Sequence, residues 1–337
     1  MAISNILEDR KKNRLLDVQN LSAYLTTGDG TVKAVDRVSF TIDQGEIMAV
    51  VGESGSGKTM MISSIMNMIP SHLLQKLEGS VMFQGEKLFT LSEKKMREIR
   101  GNGMAMVFQN AMTALDPSYT IGSQLMELLR EKKGLSSQAA KKRSLELLSQ
   151  VGMPAPEKMF SSYAHRLSGG LRQRAVIAMA LSCEPSLIIA DEPTTALDPT
   201  VQLQIIELFE KINKETGTAI LLITHDFGVV ARLAQKVAVM YAGQIVEQGS
   251  LEELLQSPAH PYTRSLLACI PSTQWIFSGK EKQKLVQIEG APPSLAHLPP
   301  GCHFADRCPE VEAICRKEKP EMVKISHTAE VRCWKRG

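Results

Sequence analysis

The segment that decides the fold is 47–59, which reads IMAVVGESGSGKT. Residues 47–51 are all apolar and indicate a buried strand, while 59–69 have the apolar spacing of a helix that ends at Pro70. Between them, 52–59 fit the pattern G-x-x-x-x-G-K-[ST]. Glycines in such a loop let backbone N–H groups surround phosphate oxygens, and the helix N-terminus adds a positive dipole end. The segment therefore predicts a phosphate-binding loop rather than a chance Gly/Ser turn.

The side chains of this loop suit a nucleotide site. Lys58 is placed to pair with β- and γ-phosphates, and the hydroxyl of Thr59 is placed to bind Mg²⁺. The residues predicted to contact the nucleotide here are Gly52, Ser54, Gly55, Ser56, Gly57, Lys58, Thr59 and Met60. Met60 also belongs to a methionine-rich helix, for which core packing is the plainer interpretation.

A second strand ends in two adjacent carboxylates. Leu187–Ala190 is a continuous apolar run, and Asp191 and Glu192 follow it directly. Paired acids at the end of a buried strand are costly unless they meet a metal ion or a proton donor. We therefore predict that Asp191 holds Mg²⁺ and that Glu192 acts as general base on the attacking water, with a solvated strand end as the alternative.

A third segment provides another helix start rich in small residues. Ser168, Gly169 and Gly170 precede the apolar helix predicted at Ala175–Leu181. Such a start binds anions through its backbone N–H groups, although an ordinary helix cap with a glycine turn has the same composition. Because one nucleotide needs only one phosphate cradle, a second one suggests a site completed from another subunit.

The remaining pattern predicts an α/β protein with an insertion and a tail. Apolar strands at 187–190 and 219–224, separated by a helical pattern at 201–215, favour a parallel sheet covered on both faces. Residues 91–164 are charged and amphipathic, with helical stretches at 121–132 and 139–151. Beyond Pro258 the sequence is rich in proline and has four cysteines near its end, which indicates a small C-terminal module.

Composition limits the function only weakly. The 337 residues suggest about two domains. With 39 Lys plus Arg and 36 Asp plus Glu, the net charge of +3 gives no reason to expect nucleic-acid binding. The N-terminus lacks the apolar centre and cleavage site of a secretory signal, and no apolar run approaches the roughly 18 residues that span a bilayer. We therefore expect a cytoplasmic protein that reaches a membrane only through a partner.

These motifs, and their order along the chain, resemble those of the ATP-binding subunits of ABC transporters. The segment 167–173 resembles the signature sequence, with Leu171 where many members have glutamine. Gln109 resembles the Q-loop glutamine, 195–198 the D-loop, and His225 the histidine that reaches the γ-phosphate. The resemblance implies a P-loop NTPase fold with a mixed sheet core. It implies an ABC ATPase domain at 15–255, a helical subdomain at about 91–165 and an extension at 256–337.

For the reaction, the resemblance implies a Mg²⁺-dependent ATPase that works as a head-to-tail pair. Ser168, Gly169 and Gly170 of one subunit would cap the γ-phosphate held by the other subunit, which is either a second copy or a paralogue. The implied catalytic residues are Lys58, Gln109, Glu192 and His225, and the implied Mg²⁺ ligands are Thr59, Gln109 and Asp191. The implied partners are two permease subunits and, indirectly, an extracytoplasmic substrate-binding protein, with this chain at the cytoplasmic face of the membrane.

One position departs from the family pattern. In the family an aromatic residue near the first strand stacks on adenine, whereas here Leu25 occupies the expected place and Tyr24 precedes it. A shift of one residue turns a strand side chain to the opposite face. Tyr24 is the candidate for the adenine contact, and packing within the fold is the alternative.

The C-terminal segments resemble one branch of the family more closely. His260–Leu267, Gly290–Pro293 and Gly301–Pro309 are similar to the oligopeptide, dipeptide and nickel importers. The resemblance implies that the ATPase powers import of dipeptides or oligopeptides through a permease. The alternatives are the same role in uptake of nickel or a metal chelate, an ABC ATPase of DNA repair or translation, and a metal-binding regulatory module with a nucleotide-sensing cassette.

Four of the six cysteines lie close to the C-terminus. Cys302, Cys308, Cys315 and Cys333 have the spacing C-x5-C-x6-C-x17-C. Thiolates in a reducing compartment suit an iron–sulfur cluster or Zn²⁺, while four unligated small apolar residues are the other interpretation. The resemblance suggests a structural [4Fe–4S] cluster, with Zn²⁺ as the alternative.

Overall fold

The computed structural model describes residues 13–28, 30–270 and 287–336. The expectation that the chain has no secretory signal concerns mainly residues 1–12, which lie outside the described ranges.

The described residues form twelve strands and eleven α-helices. The strands are β1 (Arg14–Thr27), β2 (Gly30–Asp43), β3 (Ile47–Val51), β4 (Leu74–Phe83), β5 (Glu86–Lys87), β6 (Met104–Val107), β7 (Leu187–Asp191), β8 (Ala219–Thr224), β9 (Lys236–Tyr241), β10 (Gln244–Ser250), β11 (Val323–Lys324) and β12 (Glu330–Val331). The helices are α1 (Lys58–Ile65), α2 (Glu93–Asn102), α3 (Ala111–Ala114), α4 (Ile121–Lys133), α5 (Ser137–Gln150), α6 (Pro156–Phe160), α7 (Gly169–Leu181), α8 (Pro199–Thr216), α9 (Phe227–Leu233), α10 (Leu251–Gln256) and α11 (Pro261–Ala268).

These elements belong to two compact units. Of the described residues, the first unit contains 13–17, 41–47 and 81–224, and the second contains the rest. Three predictions stay untested by this division. They are the ABC ATPase domain at 15–255, its helical subdomain at about 91–165 and the extension at 256–337.

In the first unit, β6, β7 and β8 run parallel. Val107 lies opposite Ala190, and Asp191 lies opposite Ile223. Every residue of β7 and β8 is buried, as expected for parallel strands covered on both faces. The parallel order places the carboxyl ends of these strands at one edge of the sheet, where the polar residues after β6 and β7 also lie.

The helices of the first unit have clear local signals. Thr120 and Ser136 cap α4 and α5 by accepting hydrogen bonds from backbone N–H groups of the first turn. Asp198 caps α8, Pro199 occupies its first position, and Gly217 ends it with a φ of 67°. The helices predicted at 121–132 and 139–151 are confirmed within two residues at each end.

In the second unit, the sheet is mixed. β3 runs parallel to β9, with Met48 opposite Lys236 and Val51 opposite Val239. β9 pairs with β10 in the antiparallel sense, and β10, β12 and β11 continue the sheet in the same sense. Residues 330–331 near the C-terminus therefore belong to the same sheet as the strand that leads into the phosphate-binding loop.

Two local predictions differ from the structure. The two short β stretches at 32–35 and 38–42 are one strand, β2, in which Arg37 has a φ of 49°. This residue breaks the alternation of buried and exposed side chains and so divides the apolar pattern. The helix after the phosphate-binding loop ends at Ile65 rather than Ile69, because Asn67 adopts a φ of 49°.

Gly122 in α4 is a position where packing decides stability. A Cβ atom there would overlap the ring of Phe160 in α6. We expect Gly122→Ala to lower the free energy of unfolding by about 2 kcal/mol, although alanine by itself favours a helix. Thermal unfolding followed by circular dichroism measures the effect. Gly28→Ala is the control, since a Cβ atom there meets nothing within 4 Å, and an equal shift in both variants would contradict the packing argument.

Candidate functional site

The phosphate-binding loop lies in the second unit and depends on two of its glycines. Gly57 caps α1 with a φ of 100°, and a Cβ atom there would overlap the carbonyl oxygen of Ala34. A Cβ atom on Gly52 would overlap the carbonyl oxygen of Met240 in β9. The backbone is therefore packed too tightly for any other residue at either position, and the loop follows a fixed path around the start of α1.

Lys58 lies across the centre of this loop. Its side chain is only 6% exposed. Its Nζ donates hydrogen bonds to the carbonyl oxygens of Gly52 at 2.7 Å and Glu53 at 2.9 Å, and it lies 3.4 Å from the hydroxyl of Ser56. The structure thus holds a cation at the N-terminal end of α1, where the helix dipole and the backbone N–H groups also favour an anion.

The carboxylate predicted as general base lies in the first unit, at the end of β7. The side-chain amide of Gln109 donates to Oε2 of Glu192 at 2.9 Å, and the hydroxyl of Thr195 donates to the same oxygen at 2.9 Å. Glu192 has a φ of 46°, a strained conformation for a residue with a side chain. Asp191, just before it, is 4% exposed. The structure therefore brings together Gln109 and Glu192, and it adds Thr195, whose contact the sequence did not predict.

The signature segment forms the start of α7. The hydroxyl of Ser168 accepts a hydrogen bond from the backbone N–H of Leu171 at 3.4 Å, as an N-cap does. Ser168 and Gly169 are exposed, whereas Gly170 is buried and a Cβ atom there would overlap the side chain of Val201. The first turn of α7 thus presents backbone N–H groups to the outside of this unit.

His225 and Tyr24, both in the second unit, have different surroundings. His225 follows β8 directly and is exposed, and the next residue, Asp226, caps α9 by accepting from the N–H of Gly228 at 2.7 Å. The ring of Tyr24 lies 5.1 Å from Nζ of Lys33 and 5.9 Å from Nζ of Lys76. Cation–π contacts of this kind fit the packing alternative, and the adenine contact of Tyr24 stays a prediction.

Comparison with known proteins identifies the family of the chain. Residues 35–195 match the family described as ABC transporter, and residues 246–315 match the oligopeptide/dipeptide transporter C-terminal region. The dipeptide transport ATP-binding protein DppD of Bacillus subtilis is 47% identical over 321 residues, covering 95% of this chain and 94% of that protein. The chain belongs to the ABC transporter ATP-binding family, in its oligopeptide/dipeptide branch.

Other members and solved structures agree with this assignment. The oligopeptide transport ATP-binding protein OppD of Bacillus subtilis is also 47% identical over 321 residues, covering 95% of this chain and 88% of that protein. The dimeric structure of the ATP-binding cassette MJ0796 bound to ADP and Pi is 28% identical, with a TM-score of 0.63, and covers 70% of this chain and 99% of that chain. The ABC transporter ATP-binding subunit described here therefore has the α/β P-loop NTPase fold and is an ATPase that uses ATP and Mg²⁺.

The residues proposed as Mg²⁺ ligands fit that ion by their chemistry. Thr59, Gln109 and Asp191 offer a hydroxyl, an amide oxygen and a carboxylate, and Mg²⁺ prefers oxygen ligands. None of them is a sulfur or imidazole ligand, which would favour zinc or another transition metal.

The prediction of an iron–sulfur cluster at Cys302, Cys308, Cys315 and Cys333, or of Zn²⁺ in its place, is wrong. Among the residues described, no group of three or more His, Cys, Asp or Glu side chains could hold a metal ion. The four cysteines line one cavity of about 20 Å³, which has room for roughly one water molecule. Burial raises the pKa of Cys302 to about 11 and also raises the pKa of Cys308 and of Cys333. Burial therefore disfavours the thiolate form of these cysteines, which is the form that ligates metals.

Within 13–28, 30–270 and 287–336, none of the helices is both long and apolar enough to cross a membrane.

Proposed function

We propose that this chain hydrolyses ATP to power the import of dipeptides or oligopeptides through a membrane permease. The proposal is carried by one observation, the 47% identity to DppD and OppD over 321 residues, and both of those proteins are named for peptide transport. The match of residues 246–315 to the oligopeptide/dipeptide transporter C-terminal region supports the same substrate class.

In the proposed reaction, the two described groups of residues have different tasks. Lys58 and backbone N–H groups of the loop other than that of Glu53 bind the β- and γ-phosphates, while Gln109 orients the attacking water. The water oxygen bonds to the γ-phosphorus as the bond to the β–γ bridging oxygen breaks and ADP leaves. Glu192 accepts the proton of that water at its carboxylate, and His225 donates to the γ-phosphate as negative charge develops there. Thr59, Gln109 and Asp191 would hold Mg²⁺, which would supply charge neutralisation when bound.

A pair of ATPase subunits is proposed to complete each site. The N-terminus of α7, where Ser168 and Gly169 are exposed and Gly170 is buried, suits the γ-phosphate of an ATP bound to the partner subunit. The solved structure of the MJ0796 cassette is dimeric, which supports this arrangement. The mass of the purified transporter complex distinguishes a second copy of this chain from a paralogue as the partner.

The permease is proposed to contact the first unit near α3, at the cytoplasmic face of the membrane. Phe108, Met112 and Tyr119 are large hydrophobic side chains with 38%, 45% and 58% exposure. Contiguous exposed apolar surface marks protein interaction sites, and these three side chains are proposed to form such a surface. The permease pair in turn receives the substrate from an extracytoplasmic binding protein.

An uptake experiment tests the substrate class. A strain that lacks this chain is complemented with the wild type or with Glu192→Gln, and uptake of a labelled dipeptide, a labelled pentapeptide and Ni²⁺ is measured. We expect only the wild type to restore peptide uptake, whereas restoration of Ni²⁺ uptake alone would favour the nickel alternative. If purified wild type hydrolyses ATP but restores no uptake, the transport proposal is wrong. Lys214→Ala, at an exposed position of α8, is the control that should behave as the wild type.

A further inference from the structure

Glu53, the second residue of the phosphate-binding loop, is held by the C-terminal part of the chain. Its carboxylate accepts hydrogen bonds from both terminal nitrogens of Arg307, Nη1 at 2.8 Å and Nη2 at 3.1 Å. The side chain of Arg307 is 6% exposed and that of Glu53 is 24% exposed. A bidentate ion pair that is mostly shielded from water fixes both position and orientation of the carboxylate.

Arg307 is itself fixed by several other contacts. Its Nε donates to the carbonyl oxygen of Glu289 at 3.0 Å, and Nη2 lies 3.4 Å from that of Ile288. Its Nη1 also lies 3.3 Å from the hydroxyl of Tyr241, whose ring is 5.8 Å from the guanidinium. The guanidinium is therefore preorganised and does not depend on Glu53 for its place.

The backbone of Glu53 is held as well as its side chain. Its N–H donates to the hydroxyl of Tyr262 at 3.0 Å. Tyr262 is fully buried, and its ring packs against Tyr241 at 4.5 Å and Phe304 at 5.2 Å between centroids. A rigid aromatic cluster thus positions a hydroxyl against the main chain of the loop.

A second connection reaches Ser56 through the turn between β9 and β10. The N–H of Gly243 donates to the carbonyl oxygen of Ser56 at 2.9 Å. The preceding residue of the turn, Ala242, accepts a hydrogen bond at its carbonyl oxygen from Nδ1 of His303 at 2.8 Å. His303 is 3% exposed. The segment that contains His303 and Arg307 therefore supports the loop at two points.

We propose that Arg307 and Tyr262 are positioning residues that hold the phosphate-binding loop in its nucleotide-binding conformation through Glu53. The inference rests on the proposed ATPase function and adds to it a task for the C-terminal segment. A loop of glycine and serine loses conformational entropy when it orders around phosphate. Contacts that order the loop beforehand remove this cost from ATP binding, so that their loss appears as weaker binding. Neither side chain is required to touch the nucleotide.

The decisive variant removes the ion pair without changing the net charge. In Glu53→Gln/Arg307→Met both charges are absent, so any change in ATP binding reports loop position rather than electrostatic potential. We expect the affinity for the non-hydrolysable analogue AMP-PNP with Mg²⁺ to fall about tenfold, by isothermal titration calorimetry of the full chain. We also expect KM for ATP to rise by a similar factor with kcat at saturating ATP unchanged. Tyr262→Phe removes only the hydroxyl and should weaken binding in the same direction.

The matched control removes another ion pair of the same segment. Arg316 and Asp306 are paired at 2.5 Å, but their side chains are 56% and 72% exposed, so that Asp306→Asn/Arg316→Met should bind as the wild type. If the wild type itself fails to bind AMP-PNP, the proposed ATPase function is wrong. If the wild type binds and the Glu53/Arg307 double variant and Tyr262→Phe bind equally well, the positioning role is wrong. Circular dichroism shows whether each variant is folded. If the double variant does not fold, ATP-analogue binding by Tyr262→Phe decides whether the positioning role is correct.

Discussion

Glu192→Gln is expected to reduce ATP turnover by about 1,000-fold while the variant still binds ATP. Glutamine keeps the shape of the side chain but cannot accept a proton from the attacking water. The hydrogen-bonded position of residue 192 should survive, because the hydroxyl of Thr195 can donate to an amide oxygen as it donates to Oε2 now, at 2.9 Å. Phosphate release measures turnover, and binding of AMP-PNP and of ATP by calorimetry measures occupancy.

The control for this variant is Glu215→Gln, the same chemical change near the end of α8. Glu215 is exposed and forms a 3.9 Å ion pair with Lys211, so we expect wild-type turnover. A Glu192→Gln variant with unchanged turnover would contradict the role of general base. Loss of ATP binding together with turnover would instead indicate that Glu192 supports the structure of the site.

The local parts of the site were predictable from the sequence. The strand predicted at 47–51 is β3 without change, and the strand at 219–224 is β8. Both are continuous apolar runs bounded by polar or glycine residues, so neighbouring residues alone determine them. The loop between β3 and α1 was predictable for the same reason, because positive φ at Gly57 and close approach to the backbone both require glycine.

The arrangement around Glu192 was less predictable. Its φ of 46° is a property of the backbone after β7, and a glutamate at that position does not predict a positive φ. The contact of Thr195 with Glu192 depends on how the following turn folds back. The pair of Glu53 and Arg307 joins residues 254 positions apart, so that only the folded sheet brings them together. Such contacts follow from tertiary structure and have no local pattern.

The cysteines show the limit of spacing as evidence. The four residues do line one cavity, as a shared site requires. Spacing along the chain does not determine whether four Sγ atoms converge at ligand distance or whether the thiols can lose their protons. Here burial raises the pKa of the Cys302 thiol to about 11. Side chains that share a small buried cavity pack as small apolar groups, which was the alternative considered from the sequence.

Lys58→Met is expected to weaken ATP binding by about 100-fold, a different defect from that of Glu192→Gln. Methionine has a similar length but removes the buried charge that Gly52 and Glu53 now hold through their carbonyl oxygens at 2.7 Å and 2.9 Å. Phosphate groups would then meet only the backbone N–H groups and the helix dipole, which supply partial charges in place of a full one. Calorimetry with AMP-PNP and Mg²⁺ measures the loss.

The fold should tolerate this change, so that weak binding can be assigned to the lost charge. Replacing a buried ammonium by an apolar group of similar size removes the desolvation cost of the charge, which offsets part of the cost of leaving the two carbonyl oxygens without this donor. The control is Lys214→Met, where the side chain is 71% exposed and pairs with Glu210 at 2.6 Å on α8, and binding should match the wild type. If Lys58→Met binds the nucleotide as tightly as the wild type, the phosphates do not lie at the N-terminus of α1. The hydrolytic role given to Glu192 would then need a different nucleotide position, because both predictions assume that 52–59 hold the β- and γ-phosphates.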